Sequence, residues 1–110
     1  MLNKCLVGGL WFFFIAASPL LAQEINLERQ QQLTHIVKQD CGSCHGMTLK
    51  GGLGTPLLPE DLANKSIEFL SYTIINGRPT TAMPPWREIL TEQEATWIAQ
   101  QLKLGSFNDK

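Results

Sequence analysis

Charge of one sign is missing from this chain. Its 110 residues carry 9 Lys+Arg against 10 Asp+Glu, a formal net charge of −1. So balanced a chain presents no basic field to a nucleic-acid backbone, which sets aside DNA and RNA as partners. Cysteine is scarce too. Three residues, two of them only three positions apart, cannot build a disulfide framework. Histidine occurs twice, at His35 and His45, too few to complete a structural zinc site around one Cys pair. There is no alternating apolar–polar pattern of strand type, no internal repeat and no low-complexity tail. There is also no Ser/His/Asp set and no carboxylate pair around a pocket, so the polypeptide is not expected to be an enzyme. The length supports one small domain.

What is present is unevenly placed. Lys4 precedes an uncharged apolar run from Leu6 to Ala17, Ser18-Pro19 breaks it, and Leu20-Leu21-Ala22 leads into polar Gln23-Glu24. This is the pattern of an export signal, with cleavage expected after Ala22 and delivery to a bacterial periplasm. Segment 1–22 is read as the signal peptide and 23–110 as the folded domain. A retained anchor is the alternative, because Cys5 to Ala22 gives 18 residues without a charge, the short limit for crossing a bilayer. Removing 22 of the 110 residues leaves 88. A chain of that size buries only about 60–65% of its unfolded surface, so its core is marginal without help. Cys41 and Cys44 are the cysteines left, and a disulfide between them would close too small a loop to matter. A group other than side chains is expected to complete the core.

The domain reads as all-α, with three helical segments between Gly/Pro-rich loops. The first is expected from Asn26 to Asp40, with Leu33, Val37 and Cys41 at i, i+4 and i+8 on the buried face and Glu28, Arg29, Gln30 and Gln31 toward water. Asn26 is its N-cap. The second is expected from Ser66 to Asn76, with Ile67, Leu70 and Ile74 on one stripe and Gly77 and Pro79 ending it. The third opens at Thr91-Glu92-Gln93-Glu94, a capping box, and runs to Gly105. Between the first two lies a long loop, Gly46 to Asn64, of the kind that wraps around something.

The chemistry sits in Cys41-Gly42-Ser43-Cys44-His45. C-x-x-C-H in an exported chain is the attachment signal for c-type haem. Two thiols three positions apart on one turn can add across the two vinyl groups of a porphyrin, and the next residue then lies beneath the iron as its imidazole ligand. A thioredoxin-like redox pair would need a preceding strand and a βαβ surround, and the sequence has neither.

With these residues in view the chain resembles the single-haem class I cytochromes c, over residues 26–104: helix, C-x-x-C-H, glycine-rich loop, helix, Met-Pro, terminal helix. The resemblance implies an all-α class I fold of about three to four helices around one covalently bound haem c. It implies that Cys41 and Cys44 hold the haem and that His45 and Met83 are the axial iron ligands, Met83 lying in Thr81-Ala82-Met83-Pro84-Pro85-Trp86. Met47 is too close to His45 to reach the other face, and His35 is read as a packing or surface residue. It further implies that a proline carbonyl, Pro56 or else Pro59, accepts from the His45 Nδ1–H. Trp97 is expected to pack near Leu33 and Val37, and Trp86 and Arg78 are candidate donors to the haem propionates.

The stretches 39–54 and 75–86 resemble more narrowly the small NirC-type cytochrome associated with the haem-c,d1 nitrite reductase of denitrification. Thr80 stands where that group has Gly. The implied function is a monomeric periplasmic one-electron carrier, taking electrons from a membrane or periplasmic donor and passing them to the nitrite reductase. The implied alternative is an accessory haem protein in maturation of the haem d1 cofactor.

Overall fold

The computed structural model describes residues 8–18 and 24–108. Its helical elements, in chain order, are α1 (Leu27–Ile36), a π-helical turn (Val37–Cys41), α2 (Gly42–His45), α3 (Pro59–Leu62), α4 (Ile67–Asn76) and α5 (Glu92–Leu104). No strand occurs among the described residues.

The helix ends arise from their caps. Asn26 Oδ1 accepts from the Arg29 amide at 2.8 Å to open α1. Ser66 Oγ accepts from the Phe69 amide at 3.0 Å to open α4. At α5 the capping box is reciprocal. Thr91 Oγ1 accepts from the Glu94 amide at 3.2 Å and Glu94 Oε2 from the Thr91 amide at 3.0 Å. The first helix does not end near Asp40 as expected. No proline lies between Ile36 and His45, and Gly42 is accommodated inside the coil, so it continues. The Gly42 amide reaches five residues back to the Val37 carbonyl, which widens the coil by one residue without stopping it. The expected loop after it contains a further short helix, α3, with Pro59 in its first turn and Asp61 Oδ2 accepting from the Leu58 amide at 3.3 Å.

Leu33 and Val37 are fully buried, as their spacing predicts, and join Ala95, Ile98, Ala99 and Leu102 of α5 in one core with Leu49, Leu62, Leu70, Ile75, Leu90 and Phe107. Each large side chain so buried contributes about 1.5–3 kcal/mol. Trp97 packs against that core and meets Phe107 edge-on, with ring centroids 6.0 Å apart. Arg29 does not simply face water. Its Nε and Nη2 reach Glu94 Oε1 and Oε2 at 2.6 and 3.2 Å, a two-pronged bond tying the first helix to the last. Ser71 and Thr96 share a hydroxyl bond of 3.0 Å between α4 and α5.

The described residues of the apolar run, Gly8 to Ala17, take no part in this core. Leu10 through Ile15 are each at least 80% exposed. Among the described residues no helix is long and apolar enough to cross a membrane. Lys4, Pro19 and the expected cleavage point after Ala22 lie outside the described residues.

Candidate functional site

Helix α2 and the loop behind it build one wall of the site. Gly46, at φ +91°, ends α2 and turns the chain back along it. The Gly51 amide then donates to the His45 carbonyl at 2.8 Å, and the Gly54 amide to the Cys44 carbonyl at 2.7 Å. Leu49 is buried to anchor the loop, and the Leu57 amide donates to its carbonyl at 2.9 Å. The doubled-back loop brings Gly54 flat against the imidazole. A Cβ there would sit 2.8 Å from both Nδ1 and Cε1 of His45, so only glycine fits.

The same loop orients the ring. His45 Nδ1 lies 2.6 Å from the carbonyl oxygen of Thr55. A carbonyl can only accept, so Nδ1 carries the proton and Nε2 is left with its lone pair free to bind a metal. The family resemblance implies Pro56 as the acceptor, with Pro59 second; the structure corrects both. The residue before a proline is held extended. The two loop bonds to α2 bring that peptide, one position ahead of Pro56, alongside the ring.

The opposite wall comes from the segment after α4. Gly77, at φ +67°, starts it, and a Cβ there would lie 2.7 Å from Pro84 C and Pro85 N. The Arg78 amide donates to the Met83 carbonyl at 3.1 Å, and the Thr81 amide and hydroxyl both donate to the Arg78 carbonyl, at 3.1 and 2.7 Å. This turn, Arg78–Thr81, has proline second and needs a positive φ third. Thr80 occupies that third place at φ +66°, a backbone region that favours glycine.

Between the walls lies a cavity of about 450 Å³, and Cys41, His45 and Met83 all line it. So do Leu57, Leu62, Leu70, Ile74, Leu90, Ile98 and Leu102, with Asp61, Lys65 and Arg78 as its charged members. Cys44 is exposed and not on the lining, and Trp86 packs on the core instead. Met47, expected to be unable to reach across, is 58% exposed and does not line the cavity. His35 is also exposed and away from it.

Burial pushes the Cys41 thiol up to about 11, with the negative charge of Asp40 adding to the effect. Redox-active dithiols have lowered values, so this environment is the opposite of a thioredoxin-type site. Among the described residues no three His, Cys, Asp or Glu side chains cluster as a zinc site would require. An apolar cavity with His45 and Met83 among its lining residues fits a flat, largely apolar iron macrocycle, for which an imidazole and a soft thioether are suitable ligands.

Comparison with known proteins gives the same class. A family model described as cytochrome c oxidase, cbb3-type, subunit III, matches residues 28–101. The chain is 48% identical over 88 residues to cytochrome c55X of Paracoccus denitrificans, covering 80% of this chain and 85% of that protein. It is 49% identical over 95 residues to cytochrome c55X of Pseudomonas aeruginosa, covering 86% and 80%. A solved structure titled c-type cytochrome NirC superposes with a TM-score of 0.76 at 46% identity, covering 77% of this chain and all of that one. The chain belongs to the monohaem c-type cytochromes. Within them it is a homologue of cytochrome c55X, an electron carrier with haem c and not an enzyme.

Sequence reasoning missed Gly54, Thr55 and Lys65. The first two had a signal in the loop's glycines and in the residue before Pro56. Lys65 had none.

Proposed function

We propose that the chain carries one haem c bound through Cys41 and Cys44, with His45 and Met83 as axial ligands, and that it passes single electrons to the haem-c,d1 nitrite reductase in the periplasm. One observation carries the site: His45, whose Nδ1 is committed to the Thr55 carbonyl, lines the same apolar cavity as Met83. Cys41 and Cys44 would hold the haem by thioether bonds, each thiol adding across one vinyl group with its sulfur to one carbon and its proton to the other. The bound haem supplies the one-electron iron couple.

The chain's own residues do the rest. Thr55 holds the imidazole in one orientation and strengthens it as a ligand. The Arg78–Met83 turn presents a neutral thioether, which favours the reduced iron more than a second imidazole would. The apolar lining excludes water, so little rearranges when the charge changes. Segment 1–22 serves as the export signal. Its described apolar residues Leu10 to Ile15 are exposed and outside the core, so they are dispensable to the folded domain.

Kinship with cytochrome c55X and with the NirC structure supports the partner. Met47, Pro56, Ala82, Pro84 and Pro85 are exposed around the Met83 and His45 loops and form the apolar centre of a docking face. Lys50, Arg78 and Arg87, exposed as well, supply its polar rim. Such a contact is small, exchanges quickly and responds to salt. Stopped-flow mixing of the reduced protein with mature oxidised nitrite reductase should show reoxidation within the reductase's turnover time. Ala82→Glu should slow that step more than it alters the potential. Absence of reoxidation would refute the donor role and leave the alternative, an accessory part in haem d1 maturation, as the better account.

A further inference from the structure

Lys103, next to the cavity-lining Leu102 on α5, sends its side chain away to the loop. Its Nζ donates to the carbonyl oxygens of Leu62 at 3.0 Å and Ala63 at 3.4 Å, and also to that of Lys65. An ammonium has three N–H bonds and no acceptor, and here three carbonyls converge on it. They belong to the end of α3 and the turn after it, which one backbone bond closes, the Lys65 amide donating to the Leu62 carbonyl at 3.0 Å, so Lys103 adds a second donor there and ties the turn to α5. Asp61, Leu62 and Lys65 line the cavity, and Leu62 is only 2% exposed. Ala63, Asn64, Lys65 and Ser66 are exposed, so apolar burial does little to fix that turn.

We infer that Lys103 is a positioning residue for the haem pocket: its ammonium, gathered by three carbonyls 38 to 41 residues earlier, pins the Asp61–Lys65 wall to α5 and keeps water out of that side of the cavity. This rests on reading the cavity as the haem site. Hydrogen bonds to a charged donor are roughly twice as strong as neutral ones. No uncharged side chain of similar length meets three acceptors at one point. A guanidinium keeps the charge but spreads its donors over a plane, so arginine is an incomplete substitute. A loosened wall admits water to the iron's surroundings, and solvent exposure is one of the levers that sets the potential of a haem.

The test compares wild-type, Lys103→Met and Lys103→Arg holoproteins by amide hydrogen exchange and by potentiometric titration. In Lys103→Met, which removes all three bonds, the amides of residues 62–66 should exchange about tenfold faster or more, the effect of losing even one charged hydrogen bond, while those of α1 stay as in wild type. The potential should fall. Lys103→Arg should lie between the two on both measures, and it decides the matter if Lys103→Met does not fold. A lowered potential with unchanged exchange at 62–66 would mean the charge acts at a distance, and would overturn the inference. Faster exchange across the whole chain with an unchanged potential would make Lys103 a general stabiliser, and would overturn it equally. Leu62 methyl protons lacking any ring-current shift in the wild-type holoprotein would refute the cavity reading itself, whichever way the variants behave.

Discussion

One added carbon at Gly54 probes the site most sharply. The Cβ of Gly54→Ala would lie 2.8 Å from Nδ1 and Cε1 of His45 and 3.2 Å from Cγ, against the face of the ring. The imidazole cannot withdraw freely, because Nδ1 is bonded to the Thr55 carbonyl at 2.6 Å. Residue 54 cannot withdraw either. Its amide donates to Cys44 at 2.7 Å and its carbonyl accepts from Gly52 at 3.0 Å. Overpacking of this kind costs about 1–3 kcal/mol, and displacing the ring's hydrogen bond adds about 1 kcal/mol. For a domain of this size each kcal/mol moves the melting midpoint by roughly 4–8 °C, so the holoprotein should melt on the order of 10–20 °C lower. The potential should rise as well, since an imidazole that loses its Nδ1 acceptor is a weaker base toward iron. Leu53→Ala, one residue away at a position 95% exposed, is the control and should stay within about 0.5 kcal/mol of wild type. Thermal unfolding followed in the haem absorption band decides the matter. A Gly54→Ala midpoint equal to that of Leu53→Ala would show that His45 is not held against this loop.

Thr80→Gly should act in the opposite direction. The left-handed backbone costs a residue with a Cβ about 1–2 kcal/mol, part of which glycine returns through a freer unfolded chain. Its melting midpoint should rise and carbon monoxide should enter the reduced protein more slowly; a lower midpoint would contradict strain in the turn. Glu94→Gln tests the tie between the first and last helices. Arg29 holds the Glu94 carboxyl below its ordinary value of 4.5, so the pair's contribution, about 1 kcal/mol or less, is present above that pH. It is lost as pH falls through the depressed value in the folded state. Wild type should therefore exceed the variant in stability at neutral pH and converge with it in acid, and a gap that widens in acid would refute the pairing. Mass spectrometry after acid denaturation should find one haem per chain. A mass equal to the bare polypeptide, or haem retained when Cys41 and Cys44 are both replaced by alanine, would refute covalent attachment there.

Much of the fold is legible in the sequence because its signals are local. Leu33, Val37 and Cys41 repeat at helical spacing, and Thr91 to Glu94 is a capping box whose two bonds need only neighbouring residues. Cys41 to His45 is a chemical signature within five residues, and the Met-Pro loop is read from family resemblance. The rest depends on contacts across the chain. The π turn is invisible to a period count, since an extra residue per turn leaves Leu33 and Val37 in place and shifts only the residues beyond them. Thr55 in place of Pro56 is a one-residue register difference, fixed by two backbone bonds between a loop and α2. Arg29 reads as a solvated face until Glu94, 65 residues later, comes beside it. Thr80 is the informative mismatch. The expectation of glycine there rests on resemblance, and its φ of +66° supplies the physical reason.

The optical spectrum of the oxidised holoprotein tests the central claim most directly, that His45 and Met83 face each other across one haem. Methionine sulfur bound to ferric haem gives a weak charge-transfer absorption on the long-wavelength side of the visible bands. Wild type should show it and should not bind carbon monoxide readily when reduced. Met83→Ala should lose the absorption, fall in potential and bind carbon monoxide. A wild-type spectrum without the band, or a Met83→Ala spectrum that keeps it, would contradict the account.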